Sequence, residues 1–306
     1  MSIARRLLSI ETSQVKPFKF IIQTSSTDTQ YELPINLGNT PNPNITVSWG
    51  DGSPSTTITE KNSTARFHTY SSAGTYQITV TGYCPSFNVN NSSYRTLYRS
   101  VVDWGEVGFQ TIDFFGCINL DTLPTDGSGN ATLHQGLNTV INFDSTFRET
   151  GIGFIPAGLF DFAVNVKTFI NTFVFCQGIT EIPSGLFDNN LLVTAFSGTF
   201  NACLNLPAIP IGLFDNNTSV VNFESVFRNC RKLEEIPNQL FTNNQSVSTF
   251  ANAFNMATTA NELTGVTPAD ANGDEIWERT PTPNGNDCFA FCTGLDNFNL
   301  IPTTFK

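Results

Sequence analysis

Residues 200–214 read FNACLNLPAIPIGLF and residues 227–241 read FRNCRKLEEIPNQLF, and these two segments define a pattern that recurs through most of the chain. Both place Phe, Cys, Leu, Ile-Pro and Leu-Phe at the same positions, 27 residues apart. The Ile-Pro pair recurs with the same step at 155–156, 182–183, 209–210 and 236–237. Several series in one register indicate an array of repeats, in which each unit buries its apolar face against its neighbours.

Incomplete copies extend this array in both directions. A copy containing Phe114 and Cys117 precedes it, and a copy containing Phe289 and Cys292 follows it. About seven units therefore occupy residues 104–306, and the terminal ones are irregular, as end units of repeat arrays usually are.

The order of residues within one unit predicts a short helix followed by a short strand. Val220, Phe223, Phe227 and Cys230 are separated by three, four and three residues, which places them on one face of a helix. The segment 232–236 then predicts a strand that Pro237 ends.

Residues 15–83 predict a different, all-β unit. Six strand-like segments, at 18–22, 31–35, 45–49, 57–59, 65–70 and 75–81, are separated by polar turns. Such spacing is typical of an antiparallel β-sandwich. Charge and aromatic content also divide the chain: residues 1–103 carry a net charge of +2 with four Phe, and residues 104–306 carry −13 with 24 Phe. We therefore predict two domains with different cores.

Three motifs of the N-terminal part resemble the polycystic-kidney-disease (PKD) domain. They are Trp49-Gly50-Asp51-Gly52, the segment Phe67-His68-Thr69-Tyr70, and the strand Gly-Thr-Tyr-Gln-Ile-Thr-Val at 74–80. The resemblance implies an Ig-like β-sandwich over residues 15–83, between an N-terminal arm at 1–14 and a linker at 84–103.

The repeats resemble the BspA-type leucine-rich repeats of bacterial surface and phage proteins, whose unit is F-x-x-C-x-x-L-x-x-I-P-x-x-L-F. This resemblance implies that residues 104–306 form an α/β leucine-rich-repeat solenoid of 27-residue units with an inserted loop at 258–287. The junction around Trp104 is similar to that of chains in which a PKD domain is fused to such repeats. Fusions of this kind are frequent among tailed-phage virion proteins.

The sequence contains no motif for catalysis, for a cofactor or for a metal centre, so we predict a non-enzymatic protein with none of these sites. The only histidines, His68 and His134, lie in different predicted domains, which disfavours a nucleophile–histidine pair. Cys176, Cys203 and Cys230 recur with the repeat and predict a row of buried thiols that act as small apolar groups.

The basic, apolar start of the chain is a candidate particle-docking arm. Arg5, Arg6, Leu7 and Leu8 form its core, and an arm of this kind would order on binding. A frayed terminus is the alternative.

The inserted loop at 258–287 is a candidate receptor-contact loop. Asp270 and Asp274 have the spacing of a calcium loop, but Glu275 and Pro281 occupy the positions where an EF-hand requires Gly and Glu. A loose calcium site and a simple polar loop are both left open. Trp277 is the residue of this loop that a binding surface would use.

Composition excludes two classes of function. A net charge of −11 argues against nucleic-acid binding, because phosphate contacts need Lys and Arg. No apolar run approaches the roughly 18 residues of a membrane-spanning helix. The start also lacks the apolar core of a signal peptide, so we expect assembly in the host cytoplasm.

We therefore predict a phage virion structural protein: a head fibre, a decoration protein or a tail-associated fibre. Its N-terminal part is expected to attach to capsid, portal or tail proteins, and its repeats to contact a host-surface glycan or protein. We expect a homo-oligomer, with a trimer as its form. The alternative is a bacterial cell-surface adhesin that binds host protein or glycan.

Overall fold

The computed structural model describes residues 15–35, 40–90, 92–125, 131–257, 263–269 and 273–306. These residues form nine β-strands and a few short 3₁₀ helices, and none of them lies in an α-helix. The strands are β1 (Phe18–Thr24), β2 (Thr29–Glu32), β3 (Asn44–Ser48), β4 (Thr56–Ile58), β5 (Phe67–Tyr70), β6 (Gly74–Tyr83), β7 (Ser86–Asn88), β8 (Tyr98–Asp103) and β9 (Thr111–Asp113). The 3₁₀ helices are Thr64–Arg66, Arg95–Leu97, Ala131–Leu137, Phe298–Leu300 and Thr303–Phe305.

The N-terminal strands form two antiparallel sheets. One has five strands in the order β4-β3-β6-β1-β8, and the other pairs β2 with β5. In β1, Phe18, Phe20 and Ile22 are fully buried, because alternate side chains of a strand point to the same face. Each of the six strand segments expected from the sequence overlaps an observed strand. The Ig-like arrangement of these sheets stays a prediction.

The α/β leucine-rich-repeat solenoid expected for residues 104–306 is wrong as a fold class. The reason is visible in residues 220–230, which were expected to form a helix. The backbone amides of the even-numbered residues from 226 to 230 donate to the carbonyl three residues earlier. The backbone amides of the odd-numbered residues from 223 to 229 donate to carbonyls of the following unit. Ser225 and Asn229 have φ values of 56° and 60°, which a right-handed helix excludes. The segment is therefore a series of tight turns.

Successive units stack in parallel with equivalent positions in register. Isolated parallel bridges connect one residue per unit, namely Asn142, Thr168, Ala195, Asn222, Thr249 and Asn284. Three series of phenylalanines occupy equivalent positions in successive units: Phe143, 169, 196, 223 and 250; Phe147, 173, 200, 227, 254 and 289; and Phe160, 187, 214 and 241. Neighbouring rings within a series lie 5.5–6.1 Å apart with their planes within 16°. Each such pair adds about 0.5–1.5 kcal/mol to the burial of the rings.

The N-terminal strands cover the start of the stack. Strand β7 pairs in parallel with β9, and Ser100 of β8 bridges Thr122. Residues 84–103, which the sequence predicted as a linker, contain β7 and β8, and β8 is an edge strand of the five-stranded sheet. The rings of Phe18 and Trp104 stack at 6.4 Å. One buried core extends from Phe18 to Phe305, and the predicted domain boundaries stay a prediction.

The C-terminal residues cover the other end of the stack. The Phe289 amide donates to the Phe305 carbonyl at 2.8 Å. Gly285 lies directly against the Phe305 ring, where a Cβ atom would overlap the ring carbons. Both ends of the stack are therefore closed by chain that departs from the 27-residue step.

Candidate functional site

Some of the predicted binding residues lie outside the part of the chain that the structure describes. Arg5, Arg6, Leu7 and Leu8 of the docking arm lie outside the described residues, and so does Asp270. Asp274 is exposed and lines a cavity of about 470 Å³ between residues 245–248 and 278–283.

Trp277 is partly buried and packs on the end of the stack. Its ring meets the rings of Phe289 and Phe305 edge-on, with centroids 6.3 and 6.0 Å away. This packing gives the tryptophan a structural role that the sequence did not indicate. Its predicted contact with a receptor stays a prediction.

Glu275 connects the inserted loop to the C-terminal segment. Its two carboxylate oxygens accept hydrogen bonds from Thr267 Oγ1 at 2.6 Å and from Asn297 Nδ2 at 3.1 Å. Burial raises the pKa of Glu275, and the neighbouring Glu278 acts in the same direction, while the two hydrogen bonds oppose them. The sequence gave no signal for this network, because its members are brought together only by the tertiary fold.

No metal centre is assembled by the described residues. Within those ranges, no three His, Cys, Asp or Glu side chains lie close enough together to hold an ion. Asp270 and Asn272 lie outside the described residues, so the calcium site in the inserted loop is still only a possibility from the sequence.

A buried row of asparagines runs along the stack. Asn190, Asn217 and Asn244 each donate both hydrogens of Nδ2 to two carbonyls of the preceding unit, at 2.9–3.1 Å. We call this row the asparagine ladder. It fastens each unit to the one before it by side-chain hydrogen bonds in the interior, where a polar group without partners is costly.

Arg279 continues the asparagine ladder at its C-terminal end. Its guanidinium donates to the carbonyls of Asn244 at 3.0 Å and Phe241 at 2.8 Å. These carbonyls correspond to the ones that Asn244 itself uses in the preceding unit. The guanidinium also lies over the Phe250 ring, 5.5 Å from its centroid. The sequence did not indicate this role of Arg279, because the carbonyls that it contacts lie 35 and 38 positions earlier in the chain.

The repeated cysteines form a second ladder. The thiols of Cys176, Cys203 and Cys230 donate to the carbonyl of a phenylalanine in the preceding unit at 2.8, 3.3 and 3.2 Å. Burial raises the pKa of Cys176 to about 11 and that of Cys230 to about 12. All seven cysteines are buried free thiols. Protonated, buried thiols are poor nucleophiles and poor metal ligands.

Both histidines make structural contacts. His68 Nε2 lies 2.7 Å from Asp51 Oδ2, and its ring stacks on Trp49 at 4.7 Å. Burial alone would raise the pKa of Asp51, but hydrogen bonds from Ser53 and His68 together lower it to about 2. His134 is buried and accepts a hydrogen bond from Trp104 Nε1 at 3.1 Å.

No helix in the described part of the chain is long and apolar enough to cross a membrane. Comparison with protein-family models and with curated proteins gives no match.

Proposed function

We propose that this chain is a non-enzymatic structural protein of a phage virion, a head fibre, decoration protein or tail-associated fibre, which presents its stacked units to a surface. The observation that carries the proposal is the register of the stack. Because successive units repeat one set of contacts, exposed side chains fall in columns at the spacing of about 4.8 Å between paired strands. A rigid surface with a fixed spacing is suited to display.

The continuous buried core favours a fixed orientation of one end of the chain relative to the other. It runs from Phe18 in β1 to Phe305 at the C-terminus without a break. If the N-terminal part is attached to capsid, portal or tail proteins, the stack is held at a fixed angle to the particle. The virion context comes from the resemblance of the sequence to fused PKD and repeat proteins.

The repeated cysteines and both histidines, residue types that often take part in catalysis, are engaged in structural contacts. The thiols of the cysteine ladder are buried and protonated at neutral pH. His68 is held between Asp51 and Trp49, and His134 is bonded to Trp104. These contacts favour a binding or structural role over an enzymatic one.

Mass spectrometry of density-gradient-purified phage particles tests the proposal. We expect the chain in the particles at a fixed ratio to the major capsid protein, and that ratio indicates how many shell or tail positions it occupies. Recovery only from the washed cell-surface fraction of the same culture would contradict the proposal and favour the adhesin.

A pair of charge-reversal variants tests attachment by the N-terminal arm. We expect Arg5→Glu/Arg6→Glu to reduce recovery of the chain in particles. Lys16→Glu/Lys19→Glu reverses two charges just beyond the arm and should leave recovery unchanged. Equal recovery of both variants would contradict attachment through the arm.

A further inference from the structure

Two adjoining cavities form a trough along one side of the stack. Their volumes are about 550 and 300 Å³, and they share Ala208 and Ile209 in their walls. The trough is lined by residues of 180–184, 207–211 and 234–238 and by Thr264. It therefore crosses four successive levels of the stack, about 14 Å at the spacing of paired strands.

The floor of the trough is aliphatic and open to solvent. The side chain of Ile211 is 87% exposed, whereas the neighbouring Ile209 is buried. Pro207 and Pro210 lie on the same level, and Pro237 lies on the next. Ile211, the exposed Ala208 and the partly exposed prolines form a contiguous apolar surface in a concave place, which is the kind of patch that a partner covers.

The rim of the trough is acidic. Glu181, Glu234 and Glu235 are exposed, and no ion pair reaches them within the part of the chain that the structure describes. Glu181 and Glu235 occupy equivalent positions two units apart, with Ala208 between them. Two steps of the stack separate these positions by about 10 Å.

This spacing matches an extended peptide. A polyproline II chain advances about 3.1 Å per residue with three residues per turn, so side chains at every third position lie on one face about 9 Å apart. Lys or Arg at such positions would meet the carboxylates, while the intervening residues contact Ile211. A glycan fits less well, because none of the described residues that line the trough carries an aromatic ring on which a sugar could stack.

We propose that this trough binds an extended cationic segment of a partner protein, with Lys or Arg at every third position paired with Glu181 and with Glu234 or Glu235. This site specifies which face of the stack binds and what chemistry its partner has. It rests on the surface-binding function proposed above only for its biological setting. Binding is measured on the purified chain, so its outcome and the outcome of the particle experiment are separate.

Fluorescence anisotropy with a labelled peptide of four Lys-Pro-Pro repeats tests the proposal. We expect saturable binding that E181Q/E234Q/E235Q weakens at least about tenfold, which is the loss of about 1.4 kcal/mol. The matched control D188N/D215N/E224Q removes three exposed carboxylates outside the trough and should change the affinity less than about twofold, because surface charges act over a short range in salt. Ile211→Ser removes an apolar contact with the floor of the trough and keeps the three carboxylates, so it should weaken binding severalfold.

Several outcomes would overturn the proposal. One is equal weakening by the trough and control variants, which would assign binding to the net charge of the chain. Another is equal affinity for a peptide of the same composition with its four lysines in one block, or for Ser-Pro-Pro repeats. Absence of binding up to about 1 mM peptide would also overturn it. Retention of the chain on a neutral polysaccharide that E181Q/E234Q/E235Q abolishes would instead assign the trough to a glycan.

Discussion

Replacing Asn217 by alanine is the most direct test of the asparagine ladder. The side chain is fully buried, and its Nδ2 donates to the carbonyls of Phe187 and Asn190, each at 3.1 Å. Both carbonyls also accept a backbone amide, so the substitution leaves neither without a partner. The Oδ1 atom has no hydrogen-bond partner in the described residues, so its removal adds no further loss. The expected loss is therefore two hydrogen bonds at about 1 kcal/mol each.

The void left by the amide adds to this loss, so we expect Asn217→Ala to lower the free energy of unfolding by about 2–3 kcal/mol. Urea denaturation measures it as a shift of the midpoint with an unchanged slope. Asn216→Ala is the matched control, since the neighbouring Asn216 is exposed and makes one hydrogen bond of 3.3 Å. Its effect should stay below about 0.5 kcal/mol. Equal effects of the two substitutions would refute the reasoning.

Three further predictions follow from buried polar groups. Burial raises the pKa of Asp113 from 3.8 to about 6, so the folded state binds its proton more tightly than the unfolded state. Stability should therefore rise as pH falls from about 6 to 4, and Asp113→Asn should reduce this pH dependence in urea denaturation. Because burial raises the pKa of Cys203 well above its usual value, no thiol should react with Ellman's reagent at pH 8 before urea unfolds the chain; rapid reaction would contradict the buried ladder. Arg279→Lys cannot reproduce the forked contact with two carbonyls, so we expect a loss of about 1–2 kcal/mol in the same denaturation assay, and an unchanged midpoint would exclude a role in closing the ladder.

The register of the repeats could be predicted from the sequence because it depends on burial alone. Phe169, Phe196 and Phe223 are 27 residues apart, and each occupies the same place in its unit. A one-residue shift would turn such a side chain towards solvent, so the apolar pattern defines which residues are equivalent. The N-terminal strands were predictable for a similar reason, since alternation of apolar and polar residues reports the two faces of a strand.

The conformation within a unit could not be predicted from the same pattern. Apolar residues spaced by three and four fit one face of a helix, and they fit a series of tight turns as well. The sequence does contain a signal for turns, because Asn171, Gly198 and Asn252 occupy positions with positive φ, which these residue types tolerate. Four residues after Asn171 and Gly198, in the same units, Phe175 and Ala202 adopt the same backbone conformation and hide that signal.

The candidate binding residues were the least predictable part of the chain. Trp277 packs on Phe305, 28 positions later, and Arg279 contacts Phe241, 38 positions earlier. Such contacts depend on how the insertion folds back on the stack, and no local pattern records them. Chemical type alone suggested a receptor contact for Trp277, which stays a prediction, and it gave no sign of the packing of Trp277 on the end of the stack.

The caps also explain where a partner can bind. A stack of identical units presents unpaired strand edges at both ends and would extend by adding further copies. Strands β7 and β8 close one end, and Arg279 and Phe305 close the other, so the sides of the stack are the surface that remains. A side that repeats perfectly would offer the same contact at every level and could not fix the register of a partner. A partner can be held in one register only where equivalent positions of successive units carry different side chains. Ile211 and Asn238 are such a pair, one unit apart, and both line the trough.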